Sequence, residues 1–333
     1  PTLSALATRV TQTGQGAMVV PANAIPAQCE RITPQMLPLV QLDQAQIDRI
    51  AGSVPGGMCN VQDIYPLAPL QEGILFHHLL QGEGDAYVLP ALLRFDDRGR
   101  LDRFVAALQQ VIARHDILRT AVQWEGLDAP VQVVWRSAEL TLQELRVDPV
   151  GGDVQAQLQA HADARRVRLD LRRAPMLQAH AAFDPVSQRW LLQLLHHHLT
   201  LDHATTERIL HEVVALLQGR GKALPAPVPF RDFVAQSRWG VSDAEHEAFF
   251  GTMLGDVDEP TAPFGLLDVQ GDGSQVEQSR MTLPPALSAR LRALAMRHGV
   301  GAASLFHLAW ARVLAQCSGR DDVVFGTVLF GRM

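Results

Sequence analysis

The chain is poor in the features that would place it in several common classes. Its three cysteines, Cys29, Cys59 and Cys317, lie far apart and are odd in number. They form neither a disulfide framework nor the paired spacing of a zinc site, so they read as reduced thiols in a cytoplasmic protein. No apolar run approaches the ~20 residues that span a bilayer. The N-terminus lacks the charged-then-apolar pattern of a signal peptide. There is no basic excess: the net charge is −6 and the two signs are interspersed, which argues against nucleic acid as a partner. P-loop, GxSxG elbow and dinucleotide fingerprint are missing, as are internal repeats and low-complexity tracts. The first residue is Pro1 rather than Met and the last lies in an apolar stretch, so the chain reads as an excised fragment.

What is present is apolar material. At 333 residues and 47% hydrophobic, the chain can build a sizeable core, and its length suggests two lobes rather than one. Residues 1–10 read as a short amphipathic helix, and 11–28, with Gly14, Gly16, Pro21 and Pro26, as a linker. A helical pattern resumes near Thr33 and again over 42–50, stopped by Pro55, Gly56 and Gly57. Apolar spacing predicts helices over 70–80, 101–114, 155–169, 205–217, 231–254, 285–298 and 304–316. Strands are expected over 86–95, 120–124, 131–135, 176–183, 190–198 and 323–328. Their alternation indicates an α/β lobe, and the proline-rich stretch 224–229 marks its end.

The most informative segment is LLQLLHHHLTLDH, residues 191–203. A strand that runs apolar and ends in three histidines is chemically odd. Side chains alternate along a strand, so His196 and His198 are expected on one face and His197 on the other, with Asp202 just past the end. An imidazole at a strand end suits general-base work on an amine or hydroxyl. For a lone histidine, satisfaction within a core is the plainer reading, but three in a row with an aspartate at fixed spacing reverse it. His196 and His198 could chelate, but no third ligand has suitable spacing, so no metal is expected.

His197, His198, Leu199, Thr200, Leu201 and Asp202 resemble the HHxxxD core of non-ribosomal peptide synthetase condensation domains. The aspartate fixes the register, because counting from His196 would put Leu201 in its place. His203 stands where the family usually has glycine. Four further segments resemble the same family in the same order: YPLAPLQEGILF (65–76), RHDILRT (114–120), FRDFVAQSR (230–238) and VVFGTVLFGR (323–332). The resemblance implies a chloramphenicol-acetyltransferase-like α/β fold with two lobes and the histidine motif between them. The family's later motifs are missing, so the second lobe is expected to be truncated. PTLSALA resembles the last helix of a carrier domain. The implied organisation is a carrier end at 1–10, a linker with lead-in helices at 11–62, the N-terminal lobe at 63–228 and a partial C-terminal lobe at 229–333. The partners implied are upstream and downstream peptidyl carrier domains and an adjacent adenylation domain. No cofactor is expected on the domain itself, its substrates riding on the carriers' phosphopantetheine.

His77, His78, Gly84 and Asp85 sit in HHLLQGEGD, which resembles the HH[IL]xxxxGD extension of dual condensation/epimerisation domains. Read from the residues alone, the segment is a helix end with a polar cap and a glycine turn. On a helix the two histidines lie about 100° apart, so at most one faces a given pocket. The resemblance implies amide formation between two carrier-bound amino acids, preceded by L-to-D epimerisation of the donor. His198 would be the base, His197 and Asp202 would support it, and Arg332 would pair with Asp202. Phe330 replaces the more usual serine in Arg332's loop. Other readings are an ordinary condensation domain, a dedicated epimerisation domain, or a non-catalytic module that recruits partners.

Overall fold

The computed structural model describes residues 19–148, 151–163, 166–267 and 279–327. They fall into two compact units, 19–241 and 242–327.

Two sheets organise the first unit. The smaller is antiparallel, with β4 (Val131–Trp135) between β1 (Val61–Pro66) and β3 (Thr120–Gln123). The larger has the order β2 (Val88–Phe95), β7 (Arg189–His197), β6 (Leu177–Asp184), β5 (Leu142–Glu144), antiparallel except for the β5–β6 pair. β7 is therefore internal, and both its faces are covered, which accounts for its nearly unbroken apolar run. Leu192 and Leu194 enter the main core with Leu101, Phe104, Leu108 and Ile112 of helix α3 (Arg98–Arg114) and with Ile209 and Val213 of α5 (His203–Leu217). On the opposite face, Leu191 packs against Leu158 of α4 (Val154–His161), and Leu195 against Val88 and Leu169. The buried stripe of α3 repeats at helical spacing, as its sequence requires.

α1 (Gln44–Ser53) is opened by an Asp43–Gln46 capping box, and α2 (Pro69–Leu80) starts on Pro69. The helical pattern near Thr33 is a single 3₁₀ turn, Pro34–Met36. The stretch read as a linker is irregular over 19–28 but well anchored. Ile25, Cys29 and Ile32 are buried with Ile47, Val61 and Trp135, and the Asn23 amide donates to the Gln62 carbonyl at 2.8 Å. The carrier-like helix at 1–10 lies outside the described residues. α6 (Phe230–Trp239) buries Phe230, Val234 and Ala235 in the main core, so the first unit extends past residue 228.

Three expected elements differ. The helix expected over 155–169 ends at His161. The Asp163 carbonyl then accepts the amides of both Arg166 and Val167, turning the chain so that Val167 and Leu169 pack against the sheet. The helix expected over 231–254 is two, α6 and α7 (Asp243–Leu254). Gly240 ends the first, and Ser242 opens the second through a capping box with Glu245. Residues 323–327 form no strand, because no neighbouring backbone pairs with them among the described residues.

The second unit contains α7, α8 (Pro285–His298) and α9 (Ala302–Ser318). Ala295 and Leu314 are buried, whereas Phe249, Phe250, Phe306 and Trp310 are exposed. Among the described residues no helix is long and apolar enough to cross a membrane.

Candidate active site

β7 ends at His197, and the next five residues make a tight turn into α5. The His198 amide donates to the Tyr87 carbonyl at 2.9 Å. The His197 carbonyl accepts from the Thr200 amide (3.1 Å), the Thr200 hydroxyl (3.1 Å) and the Leu201 amide (3.2 Å). Asp202 is the N-cap of α5, its carboxylate accepting from the Thr205 amide at 2.7 Å. His198 Nδ1 lies 2.8 Å from the Leu201 carbonyl, which can only accept. That nitrogen therefore carries the proton, and in the neutral ring Nε2 keeps its lone pair. The ring is half-buried and lies 14° from parallel to that of Tyr87, with centroids 6.5 Å apart.

The expected face-sharing of His196 and His198 needs correction. His198 has left the strand, and the turn rather than the pleat orients its ring. His196 does follow the pleat. It lines an apolar cavity of about 60 Å³ with Ala91, Leu108, Leu194 and Ile209. Burial, then the neighbouring His198 and His197, push its pKa down to about 4. His196 is therefore neutral at physiological pH.

His197 points to the opposite face, as expected, and is fully buried. The Leu199 amide donates to its Nδ1 at 3.1 Å, so the proton sits on Nε2 and is donated to Asp85 Oδ2 at 3.0 Å. His78 Nδ1 donates to the same oxygen at 2.6 Å, and the Tyr87 amide to Oδ1 at 2.9 Å. Burial would raise the Asp85 pKa, but the hydrogen bonds from His197, His78 and the Tyr87 amide outweigh it and hold the carboxyl well below the usual range. Burial likewise lowers the His197 pKa, partly offset by Asp85. The stable state is an anionic Asp85 beneath a neutral His197. HHLLQGEGD thus meets the histidine motif directly, through His78 and Asp85. His77 is exposed, its ring 6.1 Å from that of Tyr87. Gly84 has φ of +67°, a conformation that favours glycine.

The sequence matches the condensation-domain family model over residues 61–333. The chain belongs to the condensation-domain family. It is 52% identical over its full length to malpinin synthetase of Mortierella alpina, and 50% identical over 99% of its length to malpibaldin synthetase of the same organism. It spans only 4% and 6% of those two proteins. Among solved structures, the condensation domain of the monacolin K polyketide synthase MokA superposes with a TM-score of 0.57 at 19% identity, covering 78% of this chain and 61% of that one. The fold is accordingly the chloramphenicol-acetyltransferase-like α/β fold of condensation domains.

One further motif of this condensation domain braces the histidine turn, and two others tie together the elements around it. Gln71 of YPLAPLQEGILF donates to the Leu199 carbonyl at 2.9 Å, and its side-chain oxygen accepts from the Ala68 amide and from Gln132. In RHDILRT, His115 and Arg114 meet Glu212 of α5 at 2.9 and 3.0 Å, Asp116 accepts the Phe230 amide at 2.9 Å, and Arg119 donates to the Trp135 carbonyl. In FRDFVAQSR, Arg231 pairs with buried Asp63 at 2.7 Å, and Arg238 with Glu72 at 2.5 Å.

His78, Asp85 and His197 also converge closely enough to be examined as metal ligands. The fit is poor: the His197 nitrogen facing the group carries its proton, so it offers no lone pair while Leu199 occupies the other. Arg332 lies outside the described residues, and with it the expected pairing to Asp202. Sequence reasoning missed Tyr87, although it follows Asp85 by two residues. It also missed Arg168, which falls where a plain helix was expected.

Proposed function

We propose that this condensation domain joins an upstream carrier-bound aminoacyl or peptidyl thioester to the amine of a downstream carrier-bound amino acid, after epimerising the donor from L to D. The acceptor amine attacks the thioester carbonyl, His198 Nε2 takes the amine proton, and the pantetheine thiol leaves. Much of the acceleration comes from holding the two tethered reactants together, and a positioned base adds ~10²–10⁴-fold. In the preceding step His198 takes the donor Cα proton, and a second acid returns a proton to Cα from the opposite face. His197 and Asp202 shape the turn and do not touch substrate. The domain binds no cofactor of its own in this reading, and both substrates arrive on the phosphopantetheine arms of carrier domains, with an adenylation domain next to it.

The observation that carries the reading is the hydrogen-bonded chain His78–Asp85–His197, which places the dual-type segment against the residue preceding His198. The test uses an α-deuterated L-aminoacyl donor on the upstream carrier with the complete domain. Label is expected to wash into solvent and a D-configured donor residue to appear in the dipeptide, and His198→Ala should abolish both. Retained label with an L-configured product would reduce the protein to an ordinary condensation domain. Washout without dipeptide would mark a dedicated epimerisation domain. Full activity in His198→Ala would remove the base assignment.

A further inference from the structure

Arg168 lies on the turn after α4, far in sequence from any motif, yet its guanidinium makes three hydrogen bonds to the 78–84 segment. Nη1 donates to the carbonyls of Gln81 (2.5 Å) and Gly84 (2.9 Å), and Nη2 donates to the carbonyl of His78 (2.7 Å). These carbonyls belong to the last turn of α2 and the loop beyond it. Such carbonyls are left without helical partners, and the dipole there favours a cation. One planar fork thus closes the helix end, the loop and the glycine turn around itself. A lysine, a point charge on a flexible stem, does not reproduce that geometry.

What the fork holds is the approach of Asp85. Gly84, whose carbonyl it grips, immediately precedes Asp85, and His78, whose carbonyl it also grips, is Asp85's other partner. Asp85 fixes the proton of His197 on Nε2, which leaves His197 Nδ1 to accept the Leu199 amide. That bond sets the turn in which His198 sits. We infer that Arg168 is a positioning residue of the histidine turn, acting through the 78–85 segment and Asp85 on the placement of His198. The inference rests on the reading of His198 as the base. Misplacing a reacting group by ~1 Å can cost ~10²-fold in rate, so a loosened latch is expected to lower turnover without touching the surfaces that dock the carriers.

The experiment compares Arg168→Ala and Arg168→Lys with wild type in the complete synthetase module, with His198→Ala alongside. Arg168→Ala is expected to lower kcat for dipeptide formation by about tenfold or more, with the KM for each carrier within about twofold. Millimolar guanidinium should restore part of the rate of the Ala variant, and Arg168→Lys should stay well below wild type. Wild-type kcat in Arg168→Ala would overturn the inference, as would a loss carried by KM. A loss recovered in full simply by assaying at a lower temperature would make Arg168 a stability residue and overturn it too. An active His198→Ala would instead remove the reading beneath it, whatever Arg168 does.

Discussion

Asp85→Asn tests the centre of this arrangement, because it exchanges one oxygen for an NH₂ at nearly constant volume. The asparagine oxygen can still accept the Tyr87 amide. Its NH₂ then faces His78 Nδ1 and His197 Nε2, both donors in the native arrangement. His197 cannot escape by changing tautomer, since a proton on Nδ1 would oppose the Leu199 amide. His78 can move its proton to Nε2 and accept from the new NH₂, so one buried donor, His197 Nε2, loses its acceptor, at about 1–3 kcal/mol. At about 2–4 °C per kcal/mol for a unit of this size, the melting temperature should fall by about 2–12 °C. Dipeptide formation should fall further than stability explains when assayed well below the melting point, because the turn bearing His198 is reset. Calorimetry and a carrier-loaded condensation assay on the same preparation check both halves. Wild-type melting and wild-type turnover in Asp85→Asn would show that the His78–Asp85–His197 chain holds nothing in place.

Two further outcomes follow from the bracing groups and the buried titratable ones. Arg231→Ala should cost roughly 3–5 kcal/mol in urea unfolding, because it strands Asp63, whereas Arg238→Ala, which breaks a partly exposed pair, should cost about 1 kcal/mol or less. His196 ordinarily titrates near 6.5 and is held at about 4 in the fold. Between those pH values the unfolded chain takes up a proton that the folded one refuses, so acidification from pH 6.5 to 4 should remove up to roughly 3 kcal/mol of stability. Asp63, raised to about 6 by burial against the opposing pull of Arg231, works in the other direction between 3.8 and 6. The decisive comparison is therefore wild type against His196→Leu, whose stability should depend less steeply on pH. Identical slopes would contradict the burial argument.

Much of this was legible because periodicity reports which face of an element is apolar. The strand positions of His196 and His197 and the stripe of α3 follow from spacing, whereas α5 starts at His203, two residues before the expected Thr205, because Asp202 caps it. What periodicity cannot report is which elements meet. His197 and Asp85 lie 112 residues apart, and nothing local announces that one imidazole caps the other's charge. The helix expected over 155–169 ran too far because apolar spacing does not register a turn closed by one carbonyl, that of Asp163, on two amides. The missed break after Trp239 was visible in principle, since Ser242 and Glu245 spell a capping box. His198 was assigned to the strand because its identity fits there, while its orientation belongs to the Leu201 carbonyl.

The guanidinium of Arg168 also bears on how such domains can be recombined. HHLLQGEGD is contiguous and looks portable, a short cassette that could be transplanted into another condensation domain. Its hydrogen-bond donor comes from ninety residues downstream, on a separate turn shaped by Asp163. A graft of the cassette alone would bring His78 and Asp85 but leave the carbonyls of His78, Gln81 and Gly84 to water. A recipient would have to receive the 163–169 turn together with it for the transplanted aspartate to arrive beneath the histidine.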